Sequence, residues 1–285
     1  MTHRIEQGSK VRIGCVSFLN ARPLIDGLDA HPELDVRYDV PARLLEDLLA
    51  GEVDIALCPV VDYQTSPEPL AIVPVGGIGS QGATLTVRLL SKVPFTQIRQ
   101  LHADPDSHTS VVLASLLLRD LYGVTPSLVD LVPAAIGAAD TLLLIGDKVV
   151  RGAPSQALYP HQLDLGLAWQ ERTGLPFVFA VWMCRRGAEL GRAAELLDRQ
   201  RRINASRIDA IVAAHAADAG FPPDLARRYL GKLLRYEIGP RELQAIERFW
   251  RRARELELVP RSRALCLHGG PDLPNGTMKM VPSHS

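Results

Sequence analysis

Residues 11–24, VRIGCVSFLNARPL, decide the fold. Residues 11–16 form a short run rich in β-formers that ends in the polar loop Ser17-Phe18-Leu19-Asn20. Pro23 then stands where the first turn of a helix tolerates a missing N–H. Residues 34–40 alternate apolar and polar as a second strand. Pro41 starts a helix with Leu44, Leu45, Leu48 and Leu49 on one face, Gly51 stops it, and residues 53–57 read as a third, buried strand. The order β-loop-α-β-α-β predicts a parallel sheet covered by helices.

Residues 70–75 and 83–91 are two more strand candidates, separated by a glycine-rich stretch over 76–82. That stretch lacks the Gly-Lys-Ser/Thr of a P-loop and the spacing of a dinucleotide fingerprint, so it predicts a turn. Near residue 95 the pattern restarts. A short strand over 98–103 leads into Asp104-Pro105-Asp106-Ser107-His108-Thr109-Ser110, then an apolar helix to Leu121 closed by Gly123. A strand over residues 141–145 delivers Gly146 and Asp147, and residues 175–183 read as a return strand. Restart and return predict an α/β protein of two lobes with mixed, mostly parallel sheets. Residues 1–91 and 180–285 belong to the first lobe in this plan and residues 92–179 to the second, with crossings near 91–94 and 177–182. Helices over 205–219, 224–236 and 240–258 complete the first lobe, and the turn-rich tail from His268 is expected to fray.

Composition narrows the function classes. At 285 residues and 47% hydrophobic content the chain can bury two ordinary cores. The 32 Lys and Arg balance the 32 Asp and Glu, so no polyanion partner is indicated. Arg199, Arg201, Arg202 and Arg207 are interleaved with acids and apolar positions, which fits a solvated helix face and not a nucleic-acid patch. Cys15, Cys58, Cys184 and Cys266 form no CxxC pair, and there is no HExxH or GxSxG, so neither a metal, a disulfide framework nor covalent catalysis is expected. No apolar run reaches the roughly 18 residues of a membrane span, and the first ten residues lack the apolar core of a secretory signal. A cytoplasmic protein without membrane or nucleic-acid partner is the expectation, and no feature specifies an oligomeric state.

In an open α/β sheet, ligands bind outside the carboxyl ends of the strands. Polar residues just after strands are therefore the candidates: Ser17, Asn20, Ser80, Thr84 or Thr86, Ser107, Thr109, Ser110 and Asp147. Ser107, Thr109 and Ser110 carry the clearest signal, since hydroxyls and free N–H groups at a helix start make an anion site, although an ordinary N-cap uses the same residues. Asp147 reads either as an acid–base group or as a helix cap. His108 has no visible orienting partner. The expected site is polar, hydroxyl-rich and free of cofactors.

At these residues the chain resembles the chorismate dehydratases of menaquinone biosynthesis by the futalosine route. The match begins with residues 14–24, GCVSFLNARPL, and runs through GEVDIAL with Pro59, Ile78-Gly-Ser-Gln-Gly82 and Ser107-His-Thr-Ser110. It continues with Ile145-Gly-Asp147, Asp164-Leu-Gly with Trp169, and TGLPFVFA at 173–180. Two positions depart from the family pattern: Phe18 stands where Tyr is usual and Thr86 where Ser is usual, so one hydroxyl is kept and one lost. The resemblance implies a type II periplasmic-binding-protein-like fold and the dehydration of chorismate to 3-[(1-carboxyvinyl)oxy]benzoate without metal or organic cofactor. Asn20, placed where the first strand opens toward the cleft, is expected to orient the substrate or its leaving hydroxyl, and Ser17, Arg22, Ser80, Thr86, Ser107, Thr109, Ser110 and Asp147 are expected to bind substrate. Loss of the C4 hydroxyl and C3 proton aromatises the ring, so the protein must chiefly hold two carboxylates and exclude water. A substrate carboxylate is then the expected acceptor of the C3 proton. The competing expectation is a non-catalytic binding module for a small anionic metabolite.

Overall fold

A computed structural model describes residues 10–104 and 107–270 of the chain. The tail from residue 271, most of the segment expected to fray, lies outside them.

The opening unit forms as its pattern predicts: β1 (Val11–Cys15), the short helix α1 (Arg22–Ile25), β2 (Leu34–Tyr38), α2 (Pro41–Ala50) and β3 (Ile55–Pro59). Strands β1, β2 and β3 are parallel, with β1 between the other two. α2 ends at Gly51, whose φ of 72° is the left-handed geometry that a Cβ disfavours. The one-turn helix α3 (Asp62–Thr65) follows β3.

Most of the stretch expected to be a turn over 76–82 is instead strand: β4 runs from Leu70 to Ser80, and the chain bends only at residues 81–82, with Gly82 at a φ of 113°. Its glycines serve a close approach between strands. A Cβ on Gly77 would lie 2.6 Å from the Ala180 carbonyl oxygen, and one on Gly79 would lie 2.7 Å from that of Phe177. The chain then passes to a second sheet. β5 (Val87–Ser91) pairs with strands downstream and not with the first sheet, so the crossing lies at residues 81–86, before β5, and not at 91–94.

β6 (Gln100–Ala103), α4 (His108–Tyr122), β7 (Ser127–Asp130), β8 (Thr141–Ile145), α5 (Asp147–Gly152), β9 (His161–Asp164) and α6 (Leu165–Thr173) build the second lobe. Its sheet order is β7-β6-β8-β5-β9. The return strand β10 (Phe177–Arg185) begins two residues later than its pattern suggests and pairs antiparallel with β3 and β4, so the second crossing precedes residue 177.

The C-terminal part is helical and packs on the first lobe, in shorter pieces than the periodicity predicts. α7 (Ala193–Ala205), α8 (Ile208–His215) and α9 (Pro223–Arg228) come first, then a π turn over Tyr229–Leu233. The helix expected to reach residue 236 breaks there because β11 (Leu234–Arg235) adds to the free edge of β4. α10 (Pro240–Glu255) follows. α7 lies against α1 and β4, and α10 against β10. Trp250 of α10 stacks on Tyr63 at 4.5 Å and donates its indole N–H to the Val60 carbonyl, fixing the exit of β3. The first sheet has the order β11-β4-β10-β3-β1-β2. Among the described residues no helix is long and apolar enough to cross a membrane.

Candidate active site

The carboxyl ends of the parallel strands in the two sheets face a common cleft, as the topology of open α/β sheets requires. Its apolar walls include Val16, Phe18, Leu57, Ile78, Ile145 and Phe179. Polar groups enter at separate points.

From the first lobe comes Asn20, on the 3-10 turn Leu19–Ala21 after β1. Its Oδ1 is buried and has no hydrogen-bond partner among the described residues. A buried amide oxygen left without a donor is costly unless a ligand satisfies it. From the second lobe comes Thr86, whose Oγ1 lies 2.7 Å from the Tyr229 hydroxyl. Tyr229 is 1% exposed and reaches the cleft from the π turn, in the part of the chain where periodicity signalled only helix. Burial pushes its phenol well above the usual range, against the opposing hydrogen bonds of Thr86 and Asn20, so it stays protonated and can donate. Of the two threonines expected near the site, Thr84 is committed elsewhere: its hydroxyl bonds the Asp164 carboxylate and accepts the Val87 N–H.

The N-terminus of α4 also faces the cleft, with Ser107, His108, Thr109 and Ser110 in the lining. Ser107 makes no side-chain cap. The Val111 N–H bonds the Ser107 carbonyl, and the N–H groups before it sit in the first helical turn, where a helix supplies no internal acceptor. Thr109 departs from the expectation. Its hydroxyl donates to the Phe179 carbonyl at 3.0 Å and accepts the Val61 N–H at 3.3 Å, so it ties α4 to the first lobe and does not point free into the cleft.

Asp147 lies in the lining as the first residue of α5, where Gly146 is the N-cap and no side chain caps the helix. The cap alternative is therefore not what the residue does. Its Oδ1 is buried and unpartnered, and burial raises its pKa despite Arg151 and the Leu19 N–H. Lys148 and Asp104, neither anticipated, pair with each other on the same wall.

His108 does have an orienting partner. Its Nδ1 lies 2.8 Å from Oδ1 of Asp62, which is 1% exposed at the start of α3. Burial raises the Asp62 pKa and His108 opposes it. Asp62 follows β3 as Asp147 follows β8, so the after-strand rule reaches it once the count extends past Pro59.

Three expected residues stay off the cleft surface. Ser17 is exposed to solvent. Arg22 sits at the start of α1, where its charge acts on Cys15 and Tyr38. Ser80 is fully buried at the end of β4, its Oγ unpartnered, in the space a Cβ on Gly166 would enter at 2.6 Å.

Two α/β lobes around a cleft at their strand ends, with walls more apolar than the sequence suggests and a few polar groups set into them, define a periplasmic-binding-protein-like fold. A protein of Archaeoglobus fulgidus shares it at a TM-score of 0.70 and 15% identity, covering 89% of this chain and 100% of that one. So does the aliphatic sulphonate binding protein SsuA of Escherichia coli, at 0.59 and 18%, over 89% and 94%. Within that fold the chain belongs to the menaquinone biosynthesis family, whose model matches residues 11–255. Chorismate dehydratase of Thermus thermophilus is 31% identical over 215 residues, 68% of this chain and 78% of that protein. Chorismate dehydratase of Campylobacter jejuni is 24% identical over 245 residues, 85% and 93% respectively.

Proposed function

We propose that the protein dehydrates chorismate to 3-[(1-carboxyvinyl)oxy]benzoate, a carbon–oxygen lyase step of menaquinone biosynthesis. The observation that carries this is the pairing, in one cleft, of an unsatisfied Asn20 amide oxygen with the N-terminus of α4. A hydroxylated dianion needs a donor set of that kind and little else, because aromatisation supplies the driving force.

The first turn of α4, with Ser107 and Ser110, holds one carboxylate, and the main-chain N–H groups there supply more of the grip than the Thr109 hydroxyl does. Thr86 and Tyr229 share one O–H between them and donate the other to a second oxygen group. Asn20 accepts from and orients the C4 hydroxyl. Asp147, raised by burial, adds less negative charge beside the dianion than an ordinary carboxylate would. Lobe closure excludes water and presses one substrate carboxylate toward the C3 proton. Ser17 and Arg22 are not needed by this arrangement.

A cytoplasmic setting fits the four cysteines, none of which is in a disulfide. Incubation of the purified protein with chorismate, followed by ultraviolet absorbance and product mass, tests the assignment. Conversion to an aromatic acid lighter by one water is expected, whereas an unchanged spectrum with tight binding would make the protein a binding module.

A further inference from the structure

We propose that His108, held by Asp62, is the proton donor to the leaving C4 hydroxyl, with Asp62 as its positioning residue. This rests on the chorismate dehydratase assignment and adds a residue role to it.

The geometry carries the step. His108 lines the cleft at the first position of α4, and Asp62 stands behind it with Oδ1 2.8 Å from the imidazole Nδ1. When Nδ1 donates to the carboxylate, the ring orientation is fixed and proton exchange with the substrate runs through Nε2. The second carboxylate oxygen, Oδ2, is buried with no hydrogen-bond partner among the described residues. A carboxylate that is 1% exposed and binds an imidazole is stabilised as an anion chiefly by protonation of that ring. Asp62 belongs to the first lobe and His108 to the second, so the pair bridges the two sides of the cleft.

Other charged and titratable groups face the same space. Asp104 and Lys148 bond each other on the second-lobe wall, Asp147 lies beside them, and Tyr229 approaches from the C-terminal part. Cys58 lies near Asp62 with its thiol pushed well up by burial, so it stays neutral. None of these positions an imidazole, and a bound dianion favours the imidazolium further.

The step balances without a co-reactant. The C3–H bond breaks and its proton passes to a substrate carboxylate, while the electron pair forms the C3–C4 double bond. The C4–O bond breaks, and the departing oxygen takes the proton from Nε2 and leaves as water. Product release opens the cleft, and solvent restores the proton to His108.

The test is steady-state kinetics of the full-length protein with chorismate across pH. Wild-type kcat should fall as pH rises through the titration of the pair. His108→Gln should lower kcat by about a hundredfold or more with little change in KM, and should abolish that limb. His108→Ala should be partly rescued by imidazole in the buffer. Asp62→Asn should move the limb to lower pH, because the imidazolium loses its anion. Circular dichroism melts confirm that each variant is folded. A folded His108→Gln enzyme with near-normal kcat would overturn the proposal, as would a loss of kcat with the limb intact and no imidazole rescue. A wild-type protein without turnover would instead remove the dehydratase assignment itself.

Discussion

The hydroxyl oxygens of Thr86 and Tyr229 are 2.7 Å apart, and this contact joins residues 143 positions apart in sequence at the wall of the cleft. Tyr229→Phe removes one hydroxyl of the pair and leaves a buried threonine hydroxyl alone. A stability loss of about 1–2 kcal/mol is expected from that orphaning. The pair then has no second O–H to share, and kcat/KM should fall by about tenfold, which is the kinetic equivalent of one such bond. Melting temperature and chorismate kinetics on the same preparation check both.

Thr109→Ala deletes a hydroxyl that serves two main-chain groups across the lobes. The Val61 N–H then loses its acceptor, while the Phe179 carbonyl keeps the Val60 N–H, at a cost of about 1–3 kcal/mol. KM should rise by about tenfold because closure is what weakens, while Thr109→Ser should stay near wild type. Equal KM values for the alanine and serine variants would remove the hydroxyl from closure.

Asn20→Asp is nearly isosteric but replaces a donor–acceptor amide with an anion beside a dianionic substrate. Activity should fall by at least about a hundredfold, the equivalent of roughly 3 kcal/mol, with the fold intact. Stopped assays of the folded variant decide this, and normal turnover would exclude Asn20 from contact with the substrate.

Asp147→Asn should raise the melting temperature at neutral pH. Burial raises the folded-state pKa of Asp147, so the folded form binds its proton more readily than the unfolded form. Stability is therefore lost as pH rises from the ordinary carboxylate range through the raised value, and it returns as pH falls. Asparagine avoids that cost, and the advantage of the variant should shrink toward zero below about pH 4. Thermal melts at several pH values show the trend. The variant should also keep turnover, because a substrate carboxylate and not Asp147 takes the C3 proton.

Local chemistry was readable where one segment contained the whole cause. The β1 loop with Asn20, the helix start at 107–110 and the strand that delivers Asp147 each follow from neighbours in sequence. Pairing between distant segments was not readable. The run Gly76-Gly77-Ile78-Gly79 looks like a turn until the carbonyls of Phe177 and Ala180 approach it, and only then is glycine a requirement of a strand. β5 looks like the partner of β4 because it follows it, yet its hydrogen bonds go to β8 and β9. Tyr229 sits in a helical pattern, and the π turn that aims it is stopped by β11 finding the edge of β4. His108 and Asp62 lie 46 residues apart, and no local signal links an imidazole to a carboxylate in another lobe.

One carboxylate holds the first connection between the sheets to the second lobe. Asp164 accepts from the N–H groups of Thr84 and Leu85 and from the Thr84 hydroxyl in that connection. As the N-cap of α6 it also accepts from the N–H groups of Gly166 and Leu167. The strap is thus riveted to the second lobe near its middle, and the length left free to bend is residues 81–83, like a hinge pin set close to one leaf.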